Sequence, residues 1–124
     1  MSKYSIAIID DEVEILNVLD RFLGRYSEYE VTTYSNPISA LDSVSSGKYD
    51  VVLLDIMMPQ MNGMDFLEKV MENNEDQKII MMTAYSTLDK VLKSHKKGAT
   101  DFIMKPFESL QFLNSEIQRV LKQQ

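Results

Sequence analysis

Three aspartates, a threonine and a lysine stand out in this chain because each follows a short apolar run. Asp10 and Asp11 follow Ile6 to Ile9, Asp55 follows Val51 to Leu54, Thr83 follows Ile79 to Met82, and Lys105 follows Thr100 to Met104. Carboxylates gathered in one crevice repel one another, which raises their pKa values or brings in a cation. A hard divalent ion such as Mg2+ suits an all-oxygen set. It takes one or two carboxylates directly and keeps waters or phosphate oxygens in its remaining positions. With that charge screened, a carboxylate can attack phosphorus and form an acyl phosphate, while the Lys105 amine and the Thr83 hydroxyl bind the phosphoryl oxygens. Asp55 is the candidate nucleophile, since it ends the central apolar run between the acidic pair and the Thr83 and Lys105 pair.

These residues meet only if the elements before them bring them together. Ile6 to Ile9, Val51 to Leu54 and Ile79 to Met82 are solidly apolar, as strands buried on both faces should be. Glu30 to Tyr34 and Thr100 to Met104 are more mixed and read as edge strands. Between the runs lie helical stripes, one of Ile15, Leu19, Phe22 and Leu23, another of Leu110, Leu113, Ile117, Val120 and Leu121. Helix starts are expected at Asp11 with Glu14, at Asn36 before Pro37, and at Ser86 with Asp89. Gly47 and Gly98 are expected to end helices in the left-handed conformation. Gly24 falls in the last turn of the first helix, where glycine costs roughly 1 kcal/mol against alanine for no reason visible in the sequence. The alternation predicts an α/β fold: a doubly wound parallel sheet with helices on both faces. In such a sheet the site lies beyond the carboxyl ends of the strands, where all five polar groups fall.

Composition narrows the function classes. Lys plus Arg number 13 against 19 Asp plus Glu, a net charge of −6, which disfavours direct nucleic-acid binding. Cysteine is absent, so neither a disulfide framework nor a thiolate zinc site is available. The apolar runs are strand-length, far short of a membrane span, and a cytoplasmic location is expected. Residues 1–124 read as a single domain without room for a second.

Taken together, Ile9-Asp10-Asp11, Leu54-Asp55-Ile56-Met57-Met58-Pro59 with Asn62-Gly63, Met82-Thr83-Ala84, and Lys105-Pro106-Phe107 resemble the response-regulator receiver family over essentially the whole chain. The resemblance implies a flavodoxin-like sheet of five strands in the order 2-1-3-4-5. It implies that Asp55 receives a phosphoryl group from a sensor histidine kinase or a small donor such as acetyl phosphate, with Mg2+ as cofactor. It further implies that Asp11 ligates Mg2+ directly, that Asp10 acts mostly through a bound water, and that Asp55 and the Met57 backbone carbonyl complete the protein ligands. Thr83 and the Ala84 amide would bind phosphoryl oxygens, Lys105 would pair with them, and the Lys105-Pro106 bond would be cis. Thr83 and Phe102 would form the switch, with the aromatic ring turning inward as Thr83 moves. Phe102 stands where many relatives carry Tyr, so a hydroxyl contact to a partner is lost there. Met57 and Tyr85 lie where the family tunes dephosphorylation. An output partner protein is expected on the face made by the helix before the last strand, the last strand and the last helix. Met82-Thr83-Ala84-Tyr85-Ser86 and the residues after it look somewhat like receivers of enhancer-dependent transcription activators of the NtrC type.

Each feature also admits a simpler reading. A cap alone would explain one acid, not Asp10, Asp11 and Asp55. Taken singly, Thr83 and Lys105 would be an ordinary strand-end threonine and a solvated loop lysine, and Phe102 plain core. Met57, Met58, Met61 and Met64 could mimic a Cu(I) cluster, but methionine is adaptable packing material and no second soft-ligand group is nearby. His95 sits among lysines and reads as solvated surface. A Mg2+-dependent phosphatase of the dehalogenase type would need an acid two residues after Asp55, where Met57 stands. A flavin-binding protein would need hydroxyls and amides where Asp10 and Asp11 stand. A receiver-like interaction module independent of phosphorylation remains the second function class, and the full residue set argues against it. The chain is expected to be a phosphoacceptor and not an enzyme acting on separate substrates.

Overall fold

The structure is a computed structural model that describes residues 3–84, 93 and 95–123. Five parallel strands form one sheet: β1 (Tyr4–Ile9), β2 (Tyr29–Tyr34), β3 (Val51–Asp55), β4 (Ile79–Thr83) and β5 (Asp101–Met104). Their order is β2-β1-β3-β4-β5, with β2 and β5 at the edges as the mixed composition of those runs predicts. The helices whose bounds lie among the described residues are α1 (Val13–Leu23), α2 (Pro37–Ser45), α3 (Gly63–Asn73) and α4 (Leu110–Leu121).

Strand period 2 divides the apolar residues into two cores. Ala7, Ile9, Val52, Leu54, Ile79 and Met81 face Ala40 and Val44 of α2 and Phe66, Leu67 and Val70 of α3. Ile6, Ile8, Val51, Leu53, Ile80 and Met82 face Leu16, Leu19 and Leu23 of α1 and Leu113, Ile117 and Val120 of α4. Solid apolar runs are therefore required in β1, β3 and β4, because both faces are covered. Met58 is buried with the α2 and α3 core, and Met61 and Met64 pack against it, which is the packing role expected of them.

Most local signals are realised. Asn36 caps α2, its Oδ1 accepting from the Ile38 amide at 3.0 Å ahead of Pro37. Asn62 caps α3 in the same way, accepting from Met64 at 2.7 Å. Gly47 and Gly98 have φ of 82° and 109°, the left-handed conformation expected after a helix. The Ser86 and Asp89 start lies outside the described residues. Gly24 is the C-cap of α1 with ordinary helical φ, so its need is spatial: a Cβ there would lie 2.7 Å from the Asp20 carbonyl oxygen. The Asp11 and Glu14 capping box does not form. The N-cap of α1 is Glu12, and no side chain caps that end. Asp11 is drawn into an acidic cluster instead, as described below.

Among the described residues no helix is long and apolar enough to cross a membrane.

Candidate functional site

Sheet register brings the strand ends together. Ile9 stands opposite Leu54, Asp55 opposite Met82, and Thr83 opposite Met104. Asp10, Asp55, Thr83 and Lys105 thus follow one another across the carboxyl edge of β1, β3, β4 and β5. Backbone bonds continue beyond the strands: the Asp10 amide donates to the Tyr34 carbonyl at 3.1 Å, that of Ile56 to Met82 at 3.1 Å, and that of Lys105 to Thr83 at 2.8 Å.

The three aspartates of the sequence pattern converge. Asp10, Asp11 and Asp55 each offer a carboxylate oxygen, and these atoms all lie within 4.8 Å of one another. Asp10 is wholly buried and Asp55 is 4% exposed, while Asp11 is half-buried at the mouth. Lys105, also buried, reaches into the cluster. Its Nζ lies 2.5 Å from Asp10 Oδ2, 3.6 Å from Glu12 Oε1 and 3.7 Å from Asp55 Oδ1. The other Asp10 oxygen, Oδ1, accepts from the Glu12 backbone amide at 2.9 Å.

The electrostatics follow from three clustered carboxylates against one ammonium. Burial pushes the Asp55 carboxyl up to about 7, with the charge of Asp10 adding to the rise. The Lys105 charge opposes it, the hydrogen bond with Asp11 adds to it, and the Met57 backbone bond opposes it. For Lys105, burial pulls the amine down, but the bond to Asp10 and the charges of Asp10, Asp55 and Glu12 outweigh it and hold the pKa above its usual value. A group of oxygen ligands that resists ionising together fits a small divalent cation such as Mg2+, which favours an all-oxygen environment and removes the repulsion. The donor set, with no nitrogen or sulfur in it, is wrong for the softer transition metals.

The remaining residues of the sequence pattern take these places. Thr83 is fully buried at the end of β4, and Ala84 beyond it is exposed. Met57 follows Asp55 by two residues and is exposed. Phe102 is half-buried and packs against the core on the α2 and α3 face. It pairs with Met81, so it shares a sheet face with Thr83 and stands diagonal to it. The Lys105-Pro106 bond is cis, as the resemblance implies. Tyr85 lies outside the described residues.

Two residues enter the site that the sequence pattern did not assign. Gly63 opens α3 directly against the backbone of Asp55 and Ile56: a Cβ there would lie 2.2 Å from the Asp55 carbonyl oxygen and 2.8 Å from Ile56 Cα. Its amide donates to the Ile56 carbonyl at 2.8 Å, which pins the loop after Asp55 onto α3. Asn62-Gly63 belongs to the pattern of the family resemblance, and only the packing shows why the second residue must lack a side chain. Glu12 is the other, placed at the lip of the cluster beside Lys105.

The profile of the response regulator receiver domain family matches residues 6–117. The DNA-binding transcriptional regulator NtrC of Azospirillum brasilense is 34% identical over 121 residues, 98% of this chain and 25% of that protein. Sporulation initiation phosphotransferase F of Bacillus subtilis is 33% identical over 108 residues, 87% of this chain and 86% of that one. A crystal structure of a CheY-like response regulator receiver domain protein from Methanospirillum hungatei superposes with a TM-score of 0.90 at 31% identity, covering 97% of this chain and 94% of the other. Two further regulatory proteins that match are longer than this chain, which spans 53% of one and 25% of the other.

Proposed function

The chain belongs to the response regulator receiver domain family of two-component signalling, and on that basis we propose that Asp55 accepts a phosphoryl group in a Mg2+-dependent reaction. The observation that carries this reading is the nearly buried Asp55 carboxylate, flanked by Asp10 and Asp11 and with Lys105 Nζ 3.7 Å away. The donor is a phosphohistidine on a sensor kinase or a small acyl phosphate. An Asp55 carboxylate oxygen forms the new bond to phosphorus as the donor's P–N or P–O bond breaks, and the bonding electrons leave with the imidazole or carboxylate.

Asp10, Asp11, Asp55 and the Met57 carbonyl are the residues that would hold the cation. When bound it supplies the positive charge that lets an anionic carboxylate meet an anionic phosphoryl group. The chain's own groups do the rest. Burial keeps bulk water from the acyl phosphate, Lys105 pairs with a phosphoryl oxygen, and the Thr83 hydroxyl and Ala84 amide bind the others. Thr83, drawn toward the phosphoryl group, vacates space on the sheet face it shares with Phe102, and the ring fills it. Phosphorylation is then a population shift, sized by how much better the active state holds the group. The output is carried to a protein partner on the face of Lys93, His95 and Lys96, β5 and α4, in a cytoplasmic setting.

Intact-mass measurement after incubation with acetyl phosphate, with and without Mg2+, tests the proposal. One phosphoryl adduct is expected on the native chain in Mg2+ and none on Asp55→Asn. Incubation with a phosphorylated sensor kinase supplements the small donor. An adduct that survives the substitution, or none from either donor, sinks the assignment.

A further inference from the structure

Residue 12 is an odd choice for the place it occupies. As N-cap of α1 its carbonyl accepts from Ile15 at 3.1 Å and Leu16 at 3.2 Å, so its backbone is fixed by the helix. Caps favour Asp, Asn, Ser or Thr, whose short side chains reach the first-turn amides. A glutamate is too long for that task, and here it makes no cap bond. It does reach Lys105, at 3.6 Å.

The Lys105 backbone is anchored at the end of β5, its amide bonded to the Thr83 carbonyl at 2.8 Å. Its ammonium sits on Asp10 at 2.5 Å, with two further carboxylates at nearly equal range: Asp55 at 3.7 Å inside the cluster and Glu12 at 3.6 Å toward solvent. A cation shared by Asp10, Asp11 and Asp55 draws on the same negative charge that holds Lys105 and so weakens the hold of Asp10 on the ammonium. Moving toward Asp55 would bring it closer to that cation. Moving toward Glu12 takes it away, to an acid whose side chain is 59% exposed and where water completes its solvation.

We propose that Glu12 is a positioning residue that receives the Lys105 ammonium when Asp10 and Asp55 are committed to a cation. The inference rests on the receiver reading and adds to it an acid outside the metal set. Glu12 lowers the cost of displacing Lys105, and keeps it poised at the lip of the site from which an incoming phosphoryl group would collect it.

Calorimetric Mg2+ titration of the native chain, Glu12→Gln, Lys105→Met and the double variant tests this. Glu12→Gln is expected to weaken Mg2+ roughly threefold to fivefold, the range of a partly exposed ion pair. In the Lys105→Met background the same change should have almost no effect. A glutamate acting only as a distant negative charge would weaken Mg2+ just as much without the lysine, and that result overturns the inference, as does wild-type affinity in Glu12→Gln. Circular dichroism checks folding. Should Lys105→Met not fold, Glu12→Asp decides: it keeps the charge but withdraws the carboxylate, so affinity lost as in Glu12→Gln supports the inference and native affinity overturns it. A native chain that binds no Mg2+ overturns the metal reading beneath it, a distinct outcome.

Discussion

Lys105 Nζ pairs with Asp10 at 2.5 Å and stands off from Asp55 by 3.7 Å, so the cationic side chain after β5 belongs to the acid after β1, beyond β4 and β3, and not to the nearer strand's Asp55. The pair is almost wholly buried, which makes it costly to break from one side.

Lys105→Ala should therefore destabilise the metal-free protein by about 3 kcal/mol, because it leaves the Asp10 carboxylate buried without its partner. Asp10→Asn combined with Lys105→Met should cost clearly less than Lys105→Ala, since no lone charge remains. Urea unfolding of both variants and the native chain without Mg2+ checks the ranking, and equal losses would remove the ion pair as the cause.

The raised Asp55 carboxyl sets a pH dependence of stability. Its pKa is about 7 in the folded protein against 3.8 ordinarily, so the folded state holds this proton more tightly than the unfolded one. That contribution is fully present below about pH 4 and is lost as the pH rises through about 7. Asp55→Asn, which cannot ionise, should flatten this component and be more stable than the native chain near pH 8 without metal, by on the order of 2 kcal/mol. Melting curves across that window in a chelator test it, and a destabilised Asp55→Asn at that pH would contradict it.

Mg2+ should raise the melting temperature, since the folded chain gathers three carboxylates that the unfolded chain disperses. At about a hundred times the dissociation constant the gain is about 2.7 kcal/mol. Asp11→Asn should lose most of it. A metal-induced shift as large in Asp11→Asn as in the native chain would show that the ion sits elsewhere.

Gly63→Ala should cost more than Gly47→Ala. At Gly63 the new Cβ meets backbone atoms at 2.2 and 2.8 Å, and these cannot rotate away. At Gly47 the nearest atom is 3.6 Å distant and only the positive φ is strained. We expect about 1 kcal/mol for Gly47→Ala and roughly 3 kcal/mol or more for Gly63→Ala. Only the latter should also slow phosphorylation, because it pushes on the Asp55 carbonyl. Equal phosphorylation rates in the two variants would refute the second half.

Tyr29→Phe offers a contrast far from the site. The Tyr29 hydroxyl donates to Asn114 at 2.6 Å and accepts from Gln118 at 2.5 Å, tying β2 to α4. Its loss should cost about 1–2 kcal/mol in urea unfolding and leave the phosphorylation rate unchanged. A slowed rate would mean that this tie is coupled to the site.

Much of this was legible in the residues alone. Ile6 to Ile9, Val51 to Leu54 and Ile79 to Met82 are apolar on both parities, and only strands covered on both faces accommodate that, so central strands, edges and the location of the polar groups follow from local pattern. Asn36 before Pro37, Gly47 and Gly98 mark helix ends for equally local reasons, fixed φ and tolerance of the left-handed region. The gathering of Asp10, Asp11 and Asp55 into one acidic cluster was likewise readable, since each closes such a run.

What required the tertiary structure is the division of labour among those groups. Asp11 satisfies the spacing of a capping box, yet it joins the acidic cluster while Glu12 takes the cap position, because the bond from the Glu12 amide to Asp10 sets where the helix begins. Gly63 lacks a side chain on account of the Asp55 backbone, which no helix-start signal contains. The choice of Asp10 over Asp55 as partner of Lys105 joins residues 95 positions apart. It is decided by sheet order and by differences of about an ångström between side-chain atoms, to which composition and periodicity are blind. The sequence by itself determined which groups meet; the packed sheet decided which of them hold one another, because pairing energies depend on distance and burial and not on the order of residues along the chain.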